Sequence, residues 1–156
     1  NPTNTANGGR DAAIDLGNLY NRFKDLYLSG SVYLGGTGAA NKLDDYEEGN
    51  WIPSTTVGLT SVYARYTKVG NRVFFDLEVT ITTNSNAGQM QINALPFAVS
   101  GEGSATLGYT TATVSNPVLM VQGTGVYFYS GGSSPVAYSD YSNKVIRLTG
   151  TYMTTA

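Results

Sequence analysis

The chain has 156 residues, of which 41% are hydrophobic and only 13% are charged, with nine basic and eleven acidic residues. It contains no Cys and no His, so disulfides, thiolate metal sites and histidine general bases are excluded, and we expect no cofactor and no metal site. The slight negative charge argues against nucleic acid as a partner, and the 19 Gly and 12 Tyr favour an all-β fold with many turns.

The chain begins with a polar stretch, NPTNTANGGR, at residues 1–10. Its few apolar side chains cannot compensate for the cost of ordering it, so we expect a flexible N-terminal end. The first residue is Asn1, and neither a signal peptide nor a run of eighteen apolar residues is present. We therefore interpret the chain as a fragment of a larger protein that does not insert into a membrane.

Residues 11–43 form a leader with three short apolar triplets, at 14–16, 26–28 and 32–34, each followed by Gly or Ser-Gly. The triplets predict very short strands that end in tight turns. Between the first two, a helical spacing predicts about two helical turns that begin near Asn18 or Asn21; the apolar residues with this spacing are Leu19, Phe23, Leu26 and Tyr27.

The leader does not carry enough apolar surface to fold alone. Ordering roughly 20 to 25 residues costs about 1–2 kcal/mol each, whereas burying the eight larger apolar side chains of the leader returns only about 1.5–3 kcal/mol each. Copies of the same chain, wound around one axis, could supply the missing partners. The alternative is a flexible linker. The residues predicted to lie in the contact between copies are Ile14, Leu16, Leu19, Phe23, Leu26, Leu28, Val32 and Leu34.

An acidic segment, NKLDDYEEGNWIP, follows at residues 41–53. Asn41 could begin a short helical turn, and Gly49 could end it in the left-handed conformation. The turn would carry four carboxylates, which we interpret as solvated rather than as a metal or glycosidase site: Asp44, Asp45, Glu47 and Glu48. Trp51, followed by Pro53, is predicted to be a buried anchor.

Beyond Pro53 the pattern becomes that of β-strands. Stretches 62–69 and 72–82 flank Gly70 and Asn71, a two-residue loop of the type II′ kind. If Val69 pairs with Arg72, the hairpin has one apolar face, made of these opposite pairs: Tyr66 with Phe75, Ala64 with Leu77, and Val62 with Val79.

The other face of this hairpin carries two carboxylates, Asp76 and Glu78. The same register places Arg65 opposite Asp76 and Tyr63 opposite Glu78. We interpret the first pair as an ion pair in a cross-strand charge ladder. The alternative is that the two carboxylates are the acid and base of a glycosidase.

Five further strands are predicted, at 88–97, 104–110, 117–122, 125–130 and 145–154. Their spacing and the turn residues between them predict that residues 44–156 form an antiparallel β-sandwich, similar to a jelly roll. The predicted fold is thus all-β, with a short intertwined leader followed by this sandwich.

Three stretches resemble the C-terminal shaft and tip domain of tailed-bacteriophage tail fibres, or receptor-binding proteins. They are DLGNLYNRFKDLYLSGSVYLGGTG (15–38), KLDDYEEGNWIP (42–53), and YTKVGNRVFFDLEVT with INALPF (66–80 and 92–97). Ile52 departs from the pattern, and the loop at 130–143 matches no particular member. The resemblance implies a homotrimer in an extracellular virion fibre, with residues 11–43 as shaft and 44–156 as a receptor-binding tip. It also implies attachment to a bacterial surface glycan or outer-membrane protein.

The segment YFYSGGSSPVAYSDYSN, at 127–143, is rich in Tyr, Ser, Gly and Asn, a composition typical of adaptable binding loops. Its tyrosines could stack on sugar rings while its polar side chains bind hydroxyl groups. The alternative is that the tyrosines fill a subunit interface. The candidate receptor-binding residues are Tyr127, Tyr129, Tyr138, Asp140, Tyr141 and Asn143.

The sequence thus favours an adhesive module without enzymatic activity that binds a cell-surface receptor. Two alternatives remain open. One is a purely structural fibre or decoration protein, and the other is a polysaccharide depolymerase that uses Asp76 and Glu78.

Overall fold

The structure is a computed structural model that describes residues 15–43 and 45–155. Within these ranges the fold is all-β and antiparallel, as predicted, with two short 3-10 helices, Ala39–Asn41 and Tyr138–Tyr141. The strands are β1 (Val32–Tyr33), β2 (Lys42–Leu43), β3 (Tyr46–Asn50), β4 (Leu59–Val69), β5 (Arg72–Ile81), β6 (Gln91–Asn93), β7 (Glu102–Thr110), β8 (Pro117–Gln122), β9 (Gly125–Ser130), β10 (Ser134–Pro135) and β11 (Val145–Met153). No helix in the described ranges is long and apolar enough to cross a membrane.

The chain divides into two units, Asn1–Ser31 and Val32–Ala156. In the first unit, residues 15–31 form neither a helix nor a strand, so the predicted helical turns and the predicted strand at 26–28 are wrong. The side chain of Asn18 does accept hydrogen bonds from the backbone N–H groups of Tyr20 and Asn21, both at 2.9 Å, as a helix cap would. The turn does not continue, because two helical turns without a buried face are not stable in water.

The apolar side chains of the leader are exposed in the single chain. Leu19 is 89% exposed, and Phe23 is 65% exposed. Leu16, Leu26, Leu28 and Leu34 are exposed by 52% to 70%, whereas Val32 is half-buried. Ile14 and the predicted flexible end at 1–10 lie outside the described residues. The contact between copies therefore stays a prediction.

The second unit begins with a small hairpin. Of the third triplet, Val32 and Tyr33 form β1, which pairs with β2 and places Val32 opposite Leu43. The side chain of Asn41 closes the loop, since its amide donates to the carbonyl of Leu34 at 3.0 Å. This triplet is the part of the leader where the predicted short strand is confirmed.

The helical turn predicted for the acidic segment is wrong. Residues 46–50 form β3, which lies beside β4 with Glu47 opposite Lys68 and Gly49 opposite Tyr66. An opposite charge directly across the ladder favours the strand. Gly49 has no left-handed backbone; a Cβ atom there would lie 3.0 Å from the hydroxyl oxygen of Tyr66, so glycine leaves room for that ring. Asp44 lies outside the described residues.

The β4–β5 hairpin has the predicted register from Val69 opposite Arg72 to Tyr63 opposite Glu78. Gly70 has a φ of 57°, as a loop with glycine first requires. The prediction fails further along, because the register shifts between Thr60 and Tyr63. This bulge leaves Val62 45% exposed instead of paired with Val79 in the core.

The large sheet has the strand order β10-β9-β8-β7-β11-β5-β4-β3, and β6 also pairs with β9. The sheet curls until the segment after β3 meets β6 at the opposite end. There Ser54 and Asn93 exchange two backbone hydrogen bonds, of 3.1 and 2.7 Å. This bridge closes the curled sheet around one core.

Alternate residues of the strands fill that core. On β5 the core residues are Val73, Phe75, Leu77, Val79 and Ile81. Trp51 is buried, as predicted, and its ring meets that of Phe75 edge to face at 6.2 Å. The side chains between the core residues of β5 point to the opposite face of the sheet, which we call the outer face.

Candidate functional site

The outer face is built on the central strands β4, β5 and β11. On β5 the outward side chains are Phe74, Asp76 and Glu78, which alternate with core residues. Their neighbours follow from the register: on β4 they are Thr67, Arg65 and Tyr63, and on β11 they are Thr151, Thr149 and Arg147. The ladder therefore brings aromatic, charged and small hydroxyl side chains together on one surface.

Three adjoining hollows lie on this surface, with volumes of about 280, 470 and 210 Å³. We call their combined surface the trough. Its outward side chains are Glu48, Asn50, Tyr63, Arg65, Thr67, Phe74, Asp76, Glu78, Ser104, Thr106, Arg147, Thr149 and Thr151. Tyr63 and Phe74 are each 50% exposed, so their rings offer apolar surface to a ligand.

Two arginines of the trough are held in place by tyrosine rings. The guanidinium of Arg65 lies 5.0 Å from the ring centre of Tyr63. That of Arg147 lies 5.3 Å from the ring centre of Tyr109, and its Nε donates to Glu78 at 2.6 Å. Cation–π contacts and a charged hydrogen bond restrict these side chains, so their positions are set before any ligand arrives.

The expected ion pair between Arg65 and Asp76 is absent. The two residues are opposite one another, as predicted, but Arg65 stacks on Tyr63 instead. Within the described part of the chain, no hydrogen bond or ion pair engages the carboxylate of Asp76. Asp76 is thus an exposed acceptor in the middle of the trough.

At one edge of the trough, Tyr46 donates a hydrogen bond of 2.8 Å to Glu48. This hydrogen bond to a carboxylate raises the pKa of the Tyr46 hydroxyl. No group of three or more acidic side chains in the described ranges could hold a metal ion. The trough offers hydrogen-bonding groups and aromatic rings to a ligand.

The geometry does not favour the depolymerase alternative. The carboxylate of Glu78 is engaged by Arg147 at 2.6 Å, whereas that of Asp76 is free among the described residues, so the two carboxylates are not both available to one glycosidic bond. Glycoside hydrolysis needs one protonated and one ionised carboxyl group at the same bond. The trough is also an open surface rather than a cleft that excludes water.

No family model, curated protein or solved structure matches the chain.

Tyr138 and Tyr141 are core residues, so the prediction that they contact a receptor is wrong. They are 1% and 0% exposed, respectively. The hydroxyl of Tyr138 donates to the carbonyl of Gln91 at 3.0 Å, and the ring of Tyr141 packs against Phe128 at 5.3 Å. The segment turns inward because its 3-10 helix fills the space beside β9, and this burial also excludes both rings from a subunit interface.

The other candidates of that segment are at the surface but do not belong to the trough. Tyr127 and Tyr129 are half-buried on β9, on the face opposite the core residues Val126 and Phe128, as the alternation predicts. Asp140 is exposed and accepts the backbone N–H of Ala137 at 3.0 Å, so it stabilises its own turn.

Asn143 is also exposed, and its φ is 55°, which marks a tight turn. Through successive strand partners, Tyr127 lies at the same level along the sheet as Phe74, but four strands away from it. Receptor binding stays a prediction for Tyr127, Tyr129, Asp140 and Asn143.

Sequence reasoning identified part of the trough and missed the rest. It placed Tyr63, Arg65, Asp76 and Glu78 on one face but did not assign them to the receptor. It missed Phe74, Arg147 and Thr149. The alternation of β5 contained the signal for Phe74, whereas the other two depend on β11 lying next to β5, which a local pattern does not encode.

Proposed function

We propose that this chain is the tip of a virion tail fibre, where it attaches a bacteriophage to its bacterial host by binding a surface glycan through the trough. The observation that carries the proposal is the trough itself, with half-exposed aromatic rings beside restrained arginines and a free carboxylate. Rings stack on the apolar faces of sugars, and the charged groups bind sugar hydroxyls.

The leader supports assembly into a fibre. Seven of its large aliphatic and aromatic side chains between residues 16 and 28 are more than half exposed in the single chain: Leu16, Leu19, Tyr20, Phe23, Leu26, Tyr27 and Leu28. Apolar groups at this density are expected to be covered by other copies of the chain. A homotrimer is the arrangement that the family resemblance implies. Sedimentation equilibrium should give three times the chain mass, and a monomer would contradict this part of the proposal.

The test of the function is a binding experiment on an array of bacterial surface oligosaccharides. The full chain should bind at least one glycan, and Tyr63→Ser should reduce that binding by at least about tenfold, because the variant removes a stacking ring. Tyr33→Ser is the matched control, since Tyr33 is also half exposed, at 51%, but lies on β1 outside the trough. Unchanged binding by the Tyr63 variant would contradict the proposal. No binding to any glycan would favour a purely structural fibre protein.

A further inference from the structure

We infer that the trough accepts an uncharged oligosaccharide of at least two sugar rings, with Asp76 in contact with the ligand where two binding positions meet. This inference rests on the proposed function and specifies its ligand. It follows from the continuity of the trough, from the arrangement of its floor and walls, and from its charges.

The trough is longer than a site for one sugar. The first two hollows share Tyr63 and Asp76, the second and third share Phe74, and the first and third share Thr149. A ligand that fills one hollow therefore borders the next without an intervening wall. All three hollows are open to solvent, which suits an extended ligand on a surface rather than a small molecule in a closed pocket.

The floor is low and the walls are aromatic. Thr149, Thr151 and Ser104 supply short side chains along the floor, and Gly108 borders the first hollow without any side chain. Tyr63 and Phe74 rise from this floor on neighbouring strands, at different rows of the register. Each can therefore stack on a different ring of one chain of sugars, since a sugar ring presents an apolar face to an aromatic ring.

Asp76 occupies the point between these two rings. It lines both the first and the second hollow, and Arg65 lies directly opposite it on β4. A free carboxylate accepts hydrogen bonds from hydroxyls, while the adjacent guanidinium donates to them. Asp76 and Arg65 can thus accept from and donate to the hydroxyl groups on either side of a glycosidic bond.

The charges of the trough disfavour an acidic glycan. Three carboxylates line it, against two guanidinium groups, and the guanidinium of Arg147 is already paired with Glu78. The whole chain is also negative, with a formal net charge of −2. A polymer of uronic acids would meet repulsion, whereas an uncharged polymer would not.

The test compares two series of ligands on the full chain by isothermal titration. The first consists of one, two and four sugar units, prepared from an uncharged bacterial polysaccharide that the array identifies. The second is an alginate tetrasaccharide, which carries one carboxylate per ring. Affinity should rise at least about tenfold from one unit to two or four, since a second stacking contact is gained. It should change by less than about twofold between 50 and 500 mM NaCl, because no net charge is neutralised.

The variant Asp76→Asn should weaken tetrasaccharide binding by about tenfold or more while leaving the affinity for the single sugar closer to that of the wild type. Glu102→Gln is the control, since Glu102 is exposed on β7 outside the trough. Equal affinity for one and four units, or tighter and salt-sensitive binding of alginate, would overturn this inference but leave glycan binding intact. Failure to bind any glycan would overturn the proposed function and the inference with it.

Discussion

The hydroxyl of Tyr152 binds both backbone groups of Phe97, donating to its carbonyl and accepting from its N–H, each at 3.1 Å. Tyr152 is fully buried on β11, whereas Phe97 lies in the loop before β7. The contact thus fixes a loop to the central strand, and the Phe97 ring then packs against Tyr66 at 5.2 Å.

Removal of this hydroxyl should destabilise the fold. In Tyr152→Phe the two backbone groups of Phe97 lose their partner, so we expect the free energy of unfolding to fall by about 1–3 kcal/mol in urea denaturation. Tyr141→Phe is the control, because the buried Tyr141 hydroxyl has no hydrogen-bond partner in the described part of the chain. Its loss should change stability by less than about 0.5 kcal/mol. An equal effect of the two variants would contradict this account.

Stability should fall in alkaline solution. Burial raises the pKa of both Tyr141 and Tyr152 to about 12, whereas tyrosine in an unfolded chain titrates near 10. Between about pH 10 and pH 12 the folded chain keeps the two tyrosine protons that the unfolded chain has released. In this range each tyrosine therefore lowers the free energy of unfolding by about 1.4 kcal/mol per pH unit. Below about pH 10 neither tyrosine makes the free energy of unfolding depend on pH. Urea denaturation at several pH values should show a shallower decline for Tyr141→Phe, and an identical decline would contradict the assignment.

A charge pair with a buried ammonium links Asp45, the residue before β3, to β4. The ammonium of Lys68, which is 6% exposed, contacts the carboxylate of Asp45 and lies 5.4 Å from the ring centre of Phe97. Asp45→Ala should cost about 3 kcal/mol, because it leaves a buried ammonium without this partner. Adding Lys68→Met should restore most of the loss, since an apolar side chain of similar length fills the same space.

The control for that prediction is Asp25→Ala, in the exposed pair with Lys24. Its effect should stay below about 0.5 kcal/mol, because exposed ion pairs contribute little. If the double variant were no more stable than Asp45→Ala, the buried ammonium would not be the cause of the loss.

Close packing of β7 on β11 requires glycine at position 103. A Cβ atom there would lie 2.5 Å from the carbonyl oxygen of Thr151 and 2.6 Å from the Cβ of Tyr152. Gly103→Ala should therefore lower the free energy of unfolding by about 1–3 kcal/mol. Gly108→Ala, on the same strand, is the matched control, since its nearest neighbour would be 3.6 Å away. Thermal unfolding of the two variants measures the difference in their stability. Equal stability would show that β7 and β11 can move apart enough to make room for a methyl group at position 103.

The parts of the fold that were predictable have a strong local signal. The turn at Gly70 and Asn71 fixed the register of β4 and β5 from Val69 to Tyr63, because a two-residue loop leaves one way to pair the strands. The bulge at Val62 was not predictable, since an extra residue in one strand leaves the apolar pattern nearly unchanged. The strand β3 was missed because its acidic residues suit a helical turn equally well, and the deciding partner, Lys68, is distant in sequence.

The site was harder to predict than the fold. The tyrosines of 127–143 were assigned to a binding surface by composition, yet Tyr138 and Tyr141 lie in the core. An irregular segment has no periodicity that separates buried from exposed rings. On β5, by contrast, the alternation did separate the two faces, which is why Asp76 and Glu78 were placed together correctly.

This alternation has a consequence for how such a module can evolve. Along β5 each side chain of the trough is flanked by core residues on the opposite face, for example Asp76 between Phe75 and Leu77. Substitutions at outward positions can change what is recognised while the packing beneath them stays intact. The same framework can therefore diverge toward new ligands one exposed residue at a time.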